Sequence, residues 1–384
     1  MAGLENELSR LVEELNRVKR PVVISSEATS IDRLLAMAVQ RGASDILLVA
    51  GCAIALRVKG QLTTAAGKPF SSDDLCALLL PLMTGRQSEE LERKKSVDFC
   101  FARGQIGRFR ANFHYQRGTL AASIRLLPPD IPTLESLNLP VGLAQLSERR
   151  QGLVLLTGPT GCGKTSTLAA LLGLINVRRR EHIITIEDPI EYEHVNHGSI
   201  VEQIEVGHDT PSFADAVRAA LRQDPDVILV GEMRDADTMS AALTAAETGH
   251  LVLSSLHTND TSQTISRILD MFPAGHQSQM RQQLSLALLA IITQQLVPAA
   301  DGSDRYPAVE ILMATPATRH LIRMGQDHQI RSHISTARAD GMVTMEQSLA
   351  QLVFSGKVAR ETAFSHCYNA AELQHYLKES LSQG

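Results

Sequence analysis

The sequence predicts an α/β protein: a mostly parallel sheet covered by helices, preceded by a smaller α+β domain. Three observations lead there. The stretch Gly158–Thr165 (GPTGCGKT) fits the phosphate-loop pattern G-x-x-x-x-G-K-[ST], and it lies between an apolar run suited to a buried strand and a run of helix formers. From Leu134 to Leu296 strand candidates alternate with helical stretches, the order that builds parallel sheets. Between Ser30 and Asp130 strand-like runs outnumber helices, and Pro128, Pro129 and Pro132 then break the pattern as a linker.

The chain has 384 residues, enough for two or three domains with real cores. It is 44% hydrophobic and 21% charged with no Trp, the balance of a soluble globular protein. A formal net charge of −5 speaks against a protein that coats nucleic acid, so no stable nucleic-acid partner is expected. No apolar run reaches the roughly 18 residues that span a bilayer. Leu284 to Val297 comes nearest, but Thr293, Gln294 and Gln295 interrupt it, and it reads as a buried helix. The charged, polar N-terminus carries no secretory signal. Cys52, Cys76, Cys100, Cys162 and Cys367 are scattered without a C-x-x-C pair. Metal cages and disulfides are therefore not expected, and a reducing cytoplasm fits.

In chain order, residues 1–29 form an N-terminal extension. Leu4, Leu8, Leu11, Leu15 and Val18 make the apolar seam of an amphipathic helix there. The seam is too short for a coiled coil that stands alone, which favours a helix docked on its own protein. Residues 30–130 form the α+β domain. Helices are expected at Ile31–Arg41, with Ser30 as N-cap, and from Asp73 through Leu80. Strands are expected at Ile46–Val49, Ala53–Val58, Ser96–Phe101, Gly107–His114 and Thr119–Leu126. Residues 131–145 read as the linker and 146–384 as the second domain. Its strand candidates are Gly152–Thr157, His182–Ile186, Val227–Val230 and Leu251–Ser255, each ending in a polar cluster. Beyond residue 300 the chain reads as helical and surface-like, with Pro316 at a helix start.

Ligands of open α/β sheets bind at the carboxyl ends of the strands, so those polar clusters should converge on the phosphate loop. Gly158, Gly161 and Gly163 let backbone N–H groups turn inward around phosphate oxygens; Pro159, Thr160 and Cys162 complete the loop, and Ser166 follows it in the helix. Lys164 is placed to reach β/γ-phosphates and the Thr165 hydroxyl to bind Mg²⁺, so a nucleoside triphosphate is the expected ligand. Cys162 reads as a small filler open to oxidation. Hydrolysis needs a carboxylate to orient or deprotonate water, and Glu187 and Glu232 both follow apolar strands; either could be the base or a Mg²⁺ ligand. Asp188 and Asp235 read equally well as helix-cap acids. His257, after Leu251–Ser255, is placed as a γ-phosphate sensor, with His250 before that strand the weaker partner.

Taken together these clusters resemble one family, the secretion and type IV pilus motor ATPases. ITIEDPIEY (Ile184–Tyr192) resembles its aspartate box, DPDVILVGEMRD (Asp224–Asp235) its Walker B, and TAAETGHLVLSSLHTND (Thr244–Asp260) its histidine box. GASD (Gly42–Asp45), GRFRAN (Gly107–Asn112) and MVTMEQSL (Met342–Leu349) are similar to the pilus retraction ATPases within that family. The resemblance covers about residues 30 to 370. It implies a PAS-like N-terminal domain, a RecA-like ATPase domain, a homohexameric ring, and ATP hydrolysis with Mg²⁺. It further implies a motor that drives pilus retraction and twitching from the cytoplasmic face of the inner membrane, peripheral to it and acting on a platform protein there. Arg110 and Arg125 occupy the strands from which family arginines close over the nucleotide.

Extension and secretion members carry a four-cysteine insertion after the histidine box, whereas no cysteine lies between Cys162 and Cys367 here. The retraction motif AIRNLI reads Ala317-Thr318-Arg319-His320-Leu321-Ile322 in this chain. An accessory pilus, secretion or DNA-uptake motor of the same family stays open as an alternative, as does a nucleotide-binding regulator that does not hydrolyse. Intact Lys164, Thr165, Glu187, Glu232 and His257 speak against the last.

Overall fold

The computed structural model describes residues 30–379 apart from 59, 65–66 and 303; the expected helical extension over 1–29 lies outside the described residues. The described chain falls into two compact units. One runs to Asp130 and includes Glu191–Glu193; the other holds Ile131–Ile190 and the chain from His194 onward.

The first unit contains α1 (Ile31–Gln40), β1 (Ala43–Leu48), β2 (Ala55–Val58), β3 (Gln61–Thr64), α2 (Ser72–Leu79), α3 (Gly85–Lys94), β4 (Ser96–Arg103), β5 (Gly107–Gln116) and β6 (Thr119–Leu126). Its strands form one antiparallel sheet in the order β3-β2-β1-β6-β5-β4. Alternating positions of β5 supply Phe109, Ala111 and Phe113 to a core shared with Leu35, Leu75 and Leu79. Two elements were not expected from the pattern. All four residues of β3 are exposed, so it shows no alternation, and α3 buries only Leu91. What fixes α3 is a capping box, in which the Thr84 side chain accepts from the Gln87 N–H while Gln87 accepts from the Thr84 N–H.

The second unit follows with β7 (Gly152–Thr157), α4 (Lys164–Arg178), β8 (His182–Glu187), β9 (Ile200–Glu205), α5 (Phe213–Ala220), β10 (Val227–Val230), α6 (Ala236–Glu247), β11 (Leu251–Leu256), α7 (Thr261–Asp270), α8 (Ala274–Ala287), β12 (Leu288–Pro298) and β13 (Arg305–Met313). It closes with α9 (Pro316–Arg323), α10 (Ile330–Thr336), α11 (Met345–Phe354), α12 (Arg360–His366) and α13 (Ala370–Glu379). The seven strands stand in the order β13-β12-β7-β11-β10-β8-β9, parallel except for β13. Every residue of β7, β10 and β11 is buried, which is why they read as continuous apolar runs.

Two expectations are corrected. Leu284–Val297 is not one buried helix: α8 ends at Ala287 and Leu288–Pro298 is a strand between β7 and β13. A run apolar on all sides fits a buried helix and a buried strand equally, and here the open edge of β7 takes it as a strand. The chain beyond 300 is not only helical and surface-like, since β13 pairs along β12 and buries Pro307 to Leu312. Pro316 does open a helix, with Thr315 as its N-cap. In the segment 131–145, Leu134, Leu139 and Leu143 are buried within the second unit.

Candidate functional site

Between β7 and α4 the chain turns through Gly158, Gly161 and Gly163, with φ of 138°, 77° and 92°. Gly158 has no alternative: a Cβ there would stand 2.1 Å from the Gln294 carbonyl oxygen and 2.7 Å from Cys162 Sγ. Pro159, Thr160 and Gly161 form the exposed tip, while Thr165 and Ser166 lie half-buried in the first turn of α4. Cys162 is a buried filler, and burial pushes its thiol pKa up, which disfavours the reactive thiolate.

Sequence reading missed the floor of this loop. Gln294 of β12 is buried; its Nε2 donates to the Cys162 carbonyl at 2.7 Å and its Oε1 accepts from Thr167 Oγ1 at 2.9 Å. Beside it, the hydroxyls of Thr157 and Thr293 bond at 2.8 Å. The polar interruption that made Leu284–Val297 look unlike a membrane span is therefore what holds the loop's shape. The available signal was polar residues inside an otherwise buried run, which must find partners there.

Lys164 Nζ donates to the carbonyls of Gly158 at 2.8 Å and Pro159 at 3.1 Å. Burial lowers its pKa, while Cys162 and Glu232 pull the other way. Its Nζ also lies 3.4 Å from His257 Nδ1, and His257 Nε2 lies 3.5 Å from Glu232 Oε2. Glu232 is itself largely buried and paired through Oε1 with the exposed Arg234 at 2.6 Å. This contact chain joins the starts of the segments after β7, β10 and β11. The two ring nitrogens of His257 thus face opposite sides of it, Nδ1 the lysine and Nε2 the carboxylate.

The second carboxylate sits apart from that chain. Glu187 ends β8, buried, accepting from Thr185 Oγ1 at 2.7 Å and from Gln203 Nε2 at 3.3 Å. Gly231 lets the two strand ends come close, since a Cβ on it would meet Ile186 O at 3.3 Å and Glu187 Cα at 3.5 Å. Asp235 is the N-cap of α6, its carboxylate accepting from the Thr238 N–H at 2.8 Å. His250 Nδ1 donates to the Ala245 carbonyl near the end of α6 at 2.9 Å. Arg110 and Arg125 belong to the first unit, opposite one another on β5 and β6. Arg125 Nε donates to Asp45 Oδ1 at 2.9 Å.

Behind the histidine, the segment from β11 to α7 is pinned by groups the sequence did not single out. Glu310 of β13 accepts from the Thr261 N–H at 3.1 Å and from the Thr261 hydroxyl. The Tyr368 hydroxyl donates to the Asn259 carbonyl, two residues past His257. The N–H groups of Tyr368 and Asn369 donate to Glu346 at 2.9 and 2.8 Å, and Arg331 pairs with the same carboxylate at 2.9 Å. Burial raises the pKa of Glu310 and of Tyr368.

A phosphate loop opening a helix beside β7, with an acid and a histidine at the ends of β10 and β11, is the architecture of a P-loop nucleotide-binding protein. The chain belongs to the type II/IV secretion system protein family, whose model matches residues 25–372. It is 40% identical to the type IV pilus ATPase PilU of Pseudomonas aeruginosa, over 90% of this chain and 91% of that protein. It is 42% identical to the type IV pilus retraction ATPase PilT of the same organism, over 87% and 96% respectively. The crystal structure of the pilus retraction motor PilT with bound ADP matches with a TM-score of 0.85 and 44% identity, covering 91% of this chain and 100% of that one.

Proposed function

We propose that this chain is an ATP-hydrolysing motor that powers type IV pilus retraction. The observation that carries the reading is the Lys164–His257–Glu232 contact chain at the mouth of a formed phosphate loop, in a chain 42% identical to a retraction ATPase along 96% of its length. Lys164 leaves the carbonyls of Gly158 and Pro159 for β/γ-phosphate oxygens when nucleotide enters. Glu232 orients or deprotonates the attacking water, and His257, touching both, reports whether a γ-phosphate is there. Glu187, fixed by Thr185 and Gln203, is the outer carboxylate of the site. Arg110 and Arg125 act as further phosphate donors.

The donor set fits Mg²⁺. Among the described residues no group of three or more His, Cys, Asp or Glu could hold a metal alone, and Mg²⁺ is bound by a hydroxyl, one or two carboxylates, water and the phosphates themselves. Thr165 with Glu232 or Glu187 would supply the protein ligands, and the ion would neutralise charge on the transferred phosphoryl group. We further propose a homohexamer peripheral to the inner face of the inner membrane, acting on a pilus platform protein. No helix among the described residues is long and apolar enough to cross a membrane.

A second reading is an accessory pilus ATPase. It is favoured by the near-equal match to PilU and by the altered AIRNLI stretch. There Thr318 is buried with its hydroxyl on the Met313 carbonyl at 2.8 Å, and Arg319 donates to the carbonyls of Ala314, Ser285 and Leu286. Deleting the gene separates the readings: retraction predicts that surface pili persist while twitching stops, whereas retained twitching favours the accessory role. For the chemistry, Glu232→Gln should lower turnover by about a hundredfold or more with ATP binding kept. Turnover equal to wild type would remove Glu232 from the reaction.

A further inference from the structure

The amino-terminal ends of β7 and β8, away from the phosphate loop, carry arginines that nothing so far uses. Arg149 and Arg150 lie just before β7, Arg178 ends α4 and Arg180 lies between α4 and β8, all four exposed. None of their side chains has an ion pair or hydrogen bond among the described residues, although the whole chain is net negative at −5. Arg179, between two of them, is consumed internally: it donates to the carbonyls of Ser147 and Arg149 and pairs with Glu181 at 2.6 Å. A groove of about 540 Å³ runs past Arg150, Arg178 and Arg180. A second, of about 560 Å³, shares Arg150, adds Arg149 and has an apolar floor of Ala246, Ala287 and Leu289, with Leu286 55% exposed at its side.

The grooves also hold Glu148, Glu181 and Glu247, of which Glu181 is taken up by Arg179, so exposed arginines without an ion pair outnumber the carboxylates there and favour an anionic partner. The effect is felt next door, where Arg319 has its pKa lowered, by burial first and then by Arg323 and Arg149. Guanidinium groups present planar forks that match carboxylates two bonds at a time. Two grooves are poorly suited to a flat bilayer, and no aromatic residue lines either one to stack a nucleic-acid base. An extended polypeptide fits both, with carboxylates on the arginines and an apolar side chain against Leu286 and Leu289.

We propose that this arginine-lined surface docks an acidic segment of a partner protein that carries an apolar residue among its carboxylates. The inference does not depend on ATP hydrolysis, because the surface lies at the opposite ends of the strands from Lys164 and Glu232.

The test is fluorescence anisotropy of the full chain with a labelled peptide of glutamates around one leucine, against the same peptide with glutamines. The glutamate peptide should bind, more weakly as salt rises, and Arg150→Gln with Arg180→Gln should weaken it about tenfold. ATP turnover and assembly state should not change, and the paired Arg→Lys variant should keep the salt dependence but bind more weakly than wild type, since lysine lacks the two-bond fork. Arg178→Gln alone should give a smaller loss in the same direction, so the idea stays testable if the double variant folds poorly. Equal binding of the glutamine peptide, or binding indifferent to these substitutions, overturns the proposal. Preference for phosphatidylglycerol vesicles or duplex DNA over the peptide, with the same arginine dependence, overturns it in favour of those ligands. Loss of assembly in the variants would make the surface a contact between copies instead.

Discussion

The segment from His257 to Thr261 has two sides held in opposite ways. Toward the phosphate loop, His257 touches Lys164 and Glu232 only at 3.4 and 3.5 Å. On its other side Thr261 is tied down by Glu310 and Asn259 by Tyr368, whose N–H in turn bonds Glu346, the partner of Arg331. The loose side consists of groups whose better partners arrive with the ligand; catalytic hydrogen bonds commonly tighten only in the complex. The tight side carries several bonds per carboxylate because these carboxylates are buried and leaving one unmet is costly, although one oxygen of Glu346 still has no partner among the described residues. A rigid back and a slack front let a histidine respond to a phosphate without the fold responding too.

The strongest way to break this contrast is Lys164→Ala. It should leave thermal stability nearly unchanged, since the lysine's internal bonds are replaceable, yet reduce ATP turnover on the order of a thousandfold. A large fall in Tm would mean that the loop side is structural after all. Gln294→Leu should act in the reverse sense. Stranding the buried Cys162 carbonyl, while the Thr167 hydroxyl keeps its bond to the Gly163 carbonyl, should cost about 2 kcal/mol in chemical denaturation and distort nucleotide binding with it.

Tyr368→Phe removes one bond to the Asn259 carbonyl, worth about 1 kcal/mol. If the back of the segment positions His257, turnover should drop a few-fold while the KM for ATP stays put, a split that a merely packed tyrosine would not produce. The smallest effect is a slope. The Glu310 pKa is raised in the folded chain, so folding binds that proton more tightly than the unfolded chain does. Its contribution is full below the ordinary glutamate value and is lost as pH rises through the raised one. Glu310→Gln should therefore flatten the fall in stability over that window, measured by urea unfolding at a series of pH values. Parallel curves for the two proteins would show that Glu310 does not titrate there.

Legibility in the sequence followed burial and locality. β7 and β10 were readable to the residue because strands buried on both faces are unbroken apolar runs bounded by turn residues. The phosphate loop was readable because its shape is set by nearby glycines and by the helix it opens. Glu232 and His257 were readable as the first polar groups past such strands, and the structure places them in contact. By contrast β3 and β9 expose too much to show alternation, and α3 is specified by its cap more than by an apolar face. The bonds of Gln294 to Cys162 and Thr167, of Glu310 to Thr261 and of Tyr368 to Asn259 span 49 to 132 positions along the chain, so only folding brings these partners together.

By itself, then, the sequence determined that the chain holds a parallel sheet with an anion-binding turn, because those depend on local periodicity and backbone freedom. Which carboxylate meets the lysine, what supports the loop from below and what pins the histidine from behind were decided by the tertiary structure alone. The reason is the strand order β12-β7-β11-β10-β8, which seats β12 beside the loop's root and β10 nearer to it than β8. Glu232 is thereby within reach of His257 and Glu187 one strand further out, a distinction no spacing along the chain records.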